Sequence, residues 1–505
     1  MATMPHRAHH PPRTAVVVGS GPNGLAAAVT LAHAGVQVTV HEAASTIGGG
    51  TRSAELMVPG VIHDLCSAAH PLAQAGGFLR DPRMAAALRG HGLEFSTAPV
   101  DMVHVLDDST PGPHGAATLH TSVSATAAGL HHQEDDGRWD ARMWQASFSP
   151  FLDRVGPLAD EVLRPLAHLP KRPVTLAGFG TQALLPASWS WRRFRTPQAR
   201  ALFAGIAAHA FTPLHLPASS AAGTLLTVAG HAHGWPVAVG GSQAIADALA
   251  AELRSFGGEI VTDSPVTGFP QVNDADTVLL DTSLEVAAAI LGDRLPHRVA
   301  RAWSRFRRGP AVAKVDYVLE GDVPWSHQDA RRAGTVHLGG TAEQIADAEQ
   351  DCWSGRLPER PFTLVCQQYL ADPSRSRVID GRTLNPLWAY AHVPAGWTGS
   401  EQETFNLVTA QIERAAPGFR ERVLDWRASP PAAVASHNVN NVGGEISGGA
   451  NDLAQLIARP RVLQPYDTGV PGVFLCSSST APGGGVHFMC GVNAAQRALR
   501  HTQLP

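Results

Sequence analysis

Thr14–Glu42, TAVVVGSGPNGLAAAVTLAHAGVQVTVHE, is the stretch on which the reading of this chain turns. Ala15–Val18 is a short β-branched apolar run, the pattern of a strand buried on both faces of a parallel sheet. It runs directly into Gly19-Ser20-Gly21-Pro22-Asn23-Gly24, a G-x-G-x-x-G turn. There Gly19 permits the tight turn, Gly21 lets backbone approach a pyrophosphate, and Gly24 lets the next helix pack close to the strand. Leu25 to Ala34 is Ala-rich and helical in character, with Gly35 placed as its C-terminal cap. The N-terminus of that helix offers free N–H groups and a positive dipole end to phosphate. Val36, Val38 and Val40 then alternate with polar residues as a second strand ending at Glu42, 23 residues after Gly19. A carboxylate there accepts ribose hydroxyls and disfavours a 2′-phosphate, so this end predicts an ADP-containing cofactor.

Near the other end lies a second glycine-rich signature, Gly472–Ala495, GVFLCSSSTAPGGGVHFMCGVNAA. Gly472–Cys476 reads as a strand, Ser477–Thr480 as its polar exit, and Gly483-Gly484-Gly485 as the opening of a helix from about Val486 to Arg500. Three glycines before a helix present bare backbone N–H groups to something flat or anionic. The carbonyl edge of a flavin ring, where negative charge gathers on reduction, is such a group. The first signature alone says dinucleotide; the pair says FAD, held without a covalent bond.

Between the ends the chain bounds its own possibilities. At 505 residues it suggests two or three domains. The formal charge of −4 marks no nucleic-acid partner. Cys66, Cys352, Cys366, Cys476 and Cys490 show no C-x-x-C spacing, so neither a redox disulfide nor a metal site is expected, and a reducing cytoplasm fits. No run of 18 apolar residues predicts a transmembrane helix. Residues 1–13, three histidines included, read as a disordered tail, and Asp107–Gly115 and Gln133–Gly137 as surface loops.

Three stretches carry α/β dinucleotide-domain character, and the expected division follows them. An FAD domain comprises 14–75, 231–300 and 431–505; a substrate domain comprises 76–230 and 301–430. In the middle stretch, Gly240-Gly241 precedes an amphipathic helix, Glu259–Thr262 returns as a strand, and Asp276–Asp281 (DTVLLD) is another. Gln198–Gly230 is helical but interrupted by His209, Pro213 and Pro217. Trp189–Arg195, WSWRRFR, reads either as a surface helix start with snorkelling arginines or as a patch touching a membrane interface or substrate portal.

The two signatures, with the Gly48-Gly49 doublet after Glu42 and Ser479-Thr480-Ala481-Pro482-Gly483-Gly484-Gly485-Val486, resemble the phytoene desaturase and carotenoid isomerase group of the amine-oxidase-like flavoproteins. Gly443–Ala450 and Leu456-x-x-Arg459-Pro460 are similar to its phytoene-dehydrogenase-related branch. The resemblance implies an α/β fold, a Rossmann-like FAD-binding domain of glutathione-reductase-2 type with an inserted α+β substrate domain. It implies that Gly19, Gly21, Pro22, Asn23 and Gly24 hold the pyrophosphate, and that Glu42 and Ala43 meet the adenosine ribose. Gly49, Gly50, Thr51 and Arg52 would line the pyrophosphate and ribityl chain, Val266 the adenine, Ser478 the ribityl–phosphate region, and Gly484, Gly485 and Val486 the ring. Two positions depart from the group: Gly50 stands where an Arg often follows the doublet, and Ser477–Ser479 offer hydroxyls where relatives place an acid.

Hydride transfer demands alignment more than side-chain chemistry, with a base only where a proton also leaves. Two residues are candidates for polar roles. His487 follows the glycine run, facing ring or substrate, or else capping a helix. Lys314 shares a strand face with Asp316, either as a buried ion pair or as a flavin-side lysine. Asn440 and Asn441 are turn residues or ring neighbours. The expected activity is FAD-dependent oxidoreduction of an apolar, unsaturated small molecule by desaturation, saturation or isomerisation. Lacking a second G-x-G-x-x-G unit, the chain points to a quinone or O2 as electron acceptor, with peripheral membrane contact as a further expectation. The alternatives are an O2-using amine oxidase, disfavoured for want of the usual Arg after the doublet and of an obvious aromatic pair beside the ring, and a flavin-binding regulatory protein.

Overall fold

The computed structural model describes residues 12–106, 115–130, 134–165 and 168–500. The tail through residue 11, residues 107–114 of the expected loop and Gln133 lie outside the described residues. Asp135–Gly137, expected as loop, instead opens the helix Glu134–Leu152. The acidic pair at its start suits the positive end of a helix dipole, and Arg138 pairs with Asp135 one turn on.

Two sheets organise the molecule. The first is parallel and five-stranded, in the order Val473–Leu475, Thr277–Leu280, Thr14–Val18, Gln37–His41, Glu259–Val261. Both ends of the chain therefore meet in one sheet, with the Thr277–Leu280 strand between them. Its central strands are apolar on both faces because helices cover each. Pro22–His33 packs on Met489–Arg500 so closely that a Cβ at Gly491 would sit 1.9 Å from the Asn23 carbonyl.

The second sheet is mixed and eight-stranded. Its main path runs Val423–Ser429, Ala311–Glu320, Arg382–Val393, Thr363–Cys366, Ala333–Leu338, Val100–Val105, Ala116–Leu119, and Arg377–Ile379 pairs with Arg382–Val393. Ala333–Leu338 and Val100–Val105 pair in parallel; the other neighbours are antiparallel. Helices from 134–233 lie against it, among them Pro197–Ala207 and Ser220–His233, separated by the break expected around His209 and the two prolines. The cleft between the sheets opens at the carboxyl ends of Thr14–Val18 and Thr277–Leu280, where ligands settle in open α/β sheets. Among the described residues no helix is long and apolar enough to cross a membrane.

Candidate functional site

A single cavity of about 1670 Å3 runs from the first glycine turn, past the mixed sheet, to the helices of 155–233. Small-molecule pockets usually measure ~300–1,000 Å3, so this one has room for a dinucleotide and a second ligand together.

At its dinucleotide end the chain turns at Gly19, whose φ of +101° a side chain would strain. The reason for Gly21 is more specific than the sequence suggested. A Cβ there would lie 2.6 Å from Asp281 Oδ2, and one at Gly49 would lie 3.0 Å from Gly21 Cα. The turn is thus sandwiched between a carboxylate beneath and the Gly48–Thr51 turn above. Asp281 ends the strand Thr277–Leu280, and its Oδ2 accepts the Gly24 N–H at 2.8 Å. Burial pushes its carboxyl up to about 7. DTVLLD was legible as a strand, but nothing in the sequence signalled that its last residue supports the turn.

Glu42 lines the cavity while already engaged by the protein. Ser20 N–H and Oγ–H donate to Oε2 at 2.9 and 2.5 Å, and Ala44 N–H to Oε1 at 2.9 Å. Arg52 reaches Oε1 at 3.3 Å with one arm and the His437 carbonyl at 3.4 Å with the other. Gly19, Gly21, Pro22, Asn23, Ala43, Gly49, Gly50, Arg52 and Val266 share the wall with Glu42, as do Ser478, Gly484, Gly485 and Val486. Gly24 and Thr51 stand behind it: Gly24 donates to Asp281, and Thr51 turns its hydroxyl to the Gly48 carbonyl at 2.8 Å. An FAD fits these donors and acceptors. Asn23 Oδ1, Arg52 Nε and Thr282 Oγ1, all on wall residues, are buried without a protein partner, and buried polar atoms are otherwise almost always bonded. Gly50, where a Cβ would meet nothing within 4 Å, faces open space.

The C-terminal signature departs from expectation. The helix begins at Met489, not near Val486, so Gly483–Gly485 forms a loop rather than a helix N-terminus. Gly483 and Gly485 sit at φ +121° and +113°, and Phe488 at +69°, all incompatible with helix. His487 staples this loop. Its Nε2–H donates to the Gly483 carbonyl at 3.1 Å, and its Nδ1 accepts the Met489 N–H at 3.0 Å. Both ring nitrogens are therefore taken by backbone, and burial lowers its pKa to about 4, fixing the neutral form. Arg459 clamps the same loop from behind. It is buried and donates to the carbonyls of Ser447 (2.6 Å) and Ser478 (3.0 Å) and to Asn451 Oδ1 (2.8 Å).

Lys314 proves to be both a buried ion pair and a cavity residue. Its Nζ bonds Asp316 Oδ2, lies 5.8 Å over the Trp388 ring, and lines the wall. Opposite it in register is Tyr390, and Asp316 faces Trp388. Trp388 and Tyr390, ring centroids 4.9 Å apart, both reach the cavity, as does Phe211, which stacks on Tyr390. This aromatic group was the feature missed in the sequence, although the i, i+2 spacing on a strand signals it. Asn440 ties its loop to the start of the helix Leu284–Leu291: its Oδ1 accepts the Ser283 N–H at 2.8 Å. The Cys66 loop is bound to the glycine turn through Ser67, whose N–H and Oγ–H donate to Gly50 O at 3.0 and 2.7 Å. Burial pushes the Cys66 thiol up to about 11, so it is not a thiolate nucleophile at neutral pH. Among the described residues no cluster suits a metal ion.

Fold and cleft together define a class: an α/β fold with a Rossmann-like, dinucleotide-binding domain. Comparison with known proteins agrees. Residues 17–79 match the model of an NAD(P)-binding Rossmann-like domain. The chain is 26% identical to the mouse pyridine nucleotide-disulfide oxidoreductase domain-containing protein 2, covering 97% of this chain and 94% of that protein, and equally to its rat counterpart. The fold is similar to an oxidoreductase from Methanosarcina mazei (TM-score 0.61, 14% identity, covering 96% of this chain and 100% of that one). It is also similar to putrescine oxidase bound to putrescine (0.60, 17%, 96% and 98%) and to cyclohexylamine oxidase from Brevibacterium oxydans (0.56, 15%, 97% and 98%). The five cysteines are free, so the disulfide in the rodent proteins' name has no counterpart here.

Proposed function

We propose that this chain holds FAD non-covalently and moves hydride between flavin and an apolar, unsaturated substrate, as a desaturase, saturase or isomerase. The supporting observation is the continuity of the cavity: a polar, glycine-walled cleft passes directly into a chamber walled by Val312, Leu364, Trp388, Tyr390, Phe211 and Leu225. FAD, when bound, supplies a two-electron hydride acceptor or donor. The turn Gly19–Asn23 and the start of the following helix would hold its diphosphate, Glu42 the ribose, Val266 the adenine, and the Gly484–Val486 loop the ring. The Lys314–Asp316 pair would keep a fixed polar group on the cavity wall, while the apolar chamber would exclude water and orient carbon chains. An apolar substrate suits this chamber because its wall is largely aliphatic and aromatic, and the Asp316 carboxylate on it is paired with Lys314 through Oδ2.

One observation favours a second reading. Trp388 and Tyr390 supply the aromatic pair whose apparent lack argued against an amine oxidase, and two similar folds are putrescine oxidase and cyclohexylamine oxidase. The FAD-loaded protein, screened anaerobically against polyene, lipid and amine pools, separates the two. Bleaching by polyenes or unsaturated lipids is expected; bleaching by amines alone, with peroxide on admitting air, would replace the first reading by the second. A quinone should reoxidise the reduced protein at least as fast as O2 does.

A further inference from the structure

Residues 162–246 contain no Asp or Glu, yet carry Arg164, Lys171, Arg172 and four further arginines between 192 and 200, in a chain whose net charge is −4. Within that segment lies the helix Pro173–Ala183, PVTLAGFGTQA, which bears no charge at all. One face points inward: Leu176, Phe179 and Ala183 line the cavity. The other face is bare. Val174 is 78% exposed, Ala177, Gly178 and Thr181 continue the stripe, and Leu184 is 59% exposed. Leu169 before the helix is 91% exposed and Trp189 after it 61%. A surface helix of a soluble protein ordinarily turns charged residues outward, and a clustered apolar face rimmed by polar groups marks an interaction site. Pro173, Ala177, Thr181 and Leu184 are at once cavity wall and exposed surface, so the cavity opens along this helix. The side chains of Lys171 and Arg192 have no acidic partner among the described residues, and Arg172 only a long one, Asp160 at 3.5 Å.

We propose that Pro173–Ala183, with Leu169, Leu184 and Trp189, is a docking face for an anionic lipid surface. Apolar residues enter the headgroup boundary, the flanking cations pair with lipid phosphates, and Trp189 sits at the interface, the division of labour of an interfacial helix. A second copy of the chain suits the face poorly. A two-fold contact would set Lys171, Arg172 and Arg192 against the same cations, with no carboxylate in the segment to answer them. The docking rests on charge and exposure alone. That substrate passes from the lipid under the helix into the cavity rests in addition on the apolar-substrate reading above.

The 505-residue, FAD-loaded protein is to be floated with vesicles of phosphatidylcholine alone and of phosphatidylcholine with phosphatidylglycerol. It should bind the anionic vesicles, at least tenfold more weakly bind the neutral ones, and detach as salt rises. Lys171→Ala with Arg172→Ala should weaken binding by roughly thirtyfold, and Val174→Asp with Leu184→Asp should abolish it. Val378→Asp, exposed but outside the segment, should leave it unchanged. An unaltered flavin spectrum in each variant shows that the fold is kept. No binding to anionic vesicles by the yellow wild type overturns the proposal. So does binding indifferent to these variants, or light scattering showing a dimer that Val174→Asp dissolves. A colourless wild type would instead refute the FAD reading, and the vesicle experiment reads out docking separately.

Discussion

The two ends of the cavity are built on opposite terms. At the dinucleotide end the backbone is closely packed: Gly19, Gly21, Gly24 and Gly49 each lie against a neighbour that leaves no room for a side chain, and Glu42 is held by Ser20 and Ala44. At the other end part of the wall is one uncharged helix with two internal glycines, Pro173–Ala183, whose Val174, Ala177, Gly178 and Thr181 are exposed. The contrast teaches where tolerance lies. On these terms the proposed cofactor cradle should fail on the smallest addition, whereas the proposed substrate chamber should accept changes of size and answer them in selectivity.

The sharpest way to break that contrast is at Gly21. Gly21→Val places methyl groups onto Asp281 and should abolish flavin retention, read as flavin per protein after purification; a variant retaining full flavin would show the cradle to be soft. Ala177→Val, on the helix wall, should leave retention intact and change only which substrates bleach the flavin.

A second break concerns Asp281. Its folded pKa is raised to about 7 by burial, so its stabilising contribution is complete below pH ~4 and disappears as pH rises through about 7. Its negative form also lies against the Gly21–Gly24 turn that we propose holds the diphosphate. FAD affinity should therefore fall about tenfold between pH 6 and 8, and Asp281→Asn should flatten that slope. Equal slopes in both proteins would remove Asp281 from the cofactor's binding.

Buried imidazoles act in the opposite sense. His70, His104, His231 and His487 have pKa values lowered to about 4 by desolvation. Their contribution is complete above pH 6.5 and is lost as pH falls from there toward 4. Each should cost about 2 kcal/mol at pH 5, so thermal melts should show a steep loss between pH 6.5 and 5. The smallest effect belongs to His487→Ala. Losing the two hydrogen bonds of the loop staple should cost about 1–3 kcal/mol and slow turnover while flavin is retained. Unchanged turnover would limit His487 to stability.

The cofactor end was legible because it is local. The Gly19–Gly24 turn, its helix and Glu42 are consecutive in sequence, and periodicity alone orders them. Helix Pro22–His33 and strands Thr14–Val18 and Gln37–His41 lie within a residue or a few of where the pattern set them. What escaped is what distance in sequence hides. Asp281 supports a turn some 260 residues away, and Arg459 clamps the Gly483 loop through carbonyls no pattern advertises. The Gly483–Gly485 loop was misread as a helix start because glycine composition does not reveal the sign of φ. The exposed face at Pro173–Ala183 went unseen because an apolar helix facing a core and one facing outward have the same letters; attention fell instead on Trp189–Arg195 at its edge.

Anaerobic titration of the FAD-loaded protein with a polyene or unsaturated lipid, followed by visible absorbance, tests the joined cavity most directly. Flavin bleaching that Gly21→Val loses with its cofactor, and that Ala177→Val alters without loss of cofactor, is the predicted result. A protein that binds no FAD, or whose flavin responds to no apolar substrate, would contradict it.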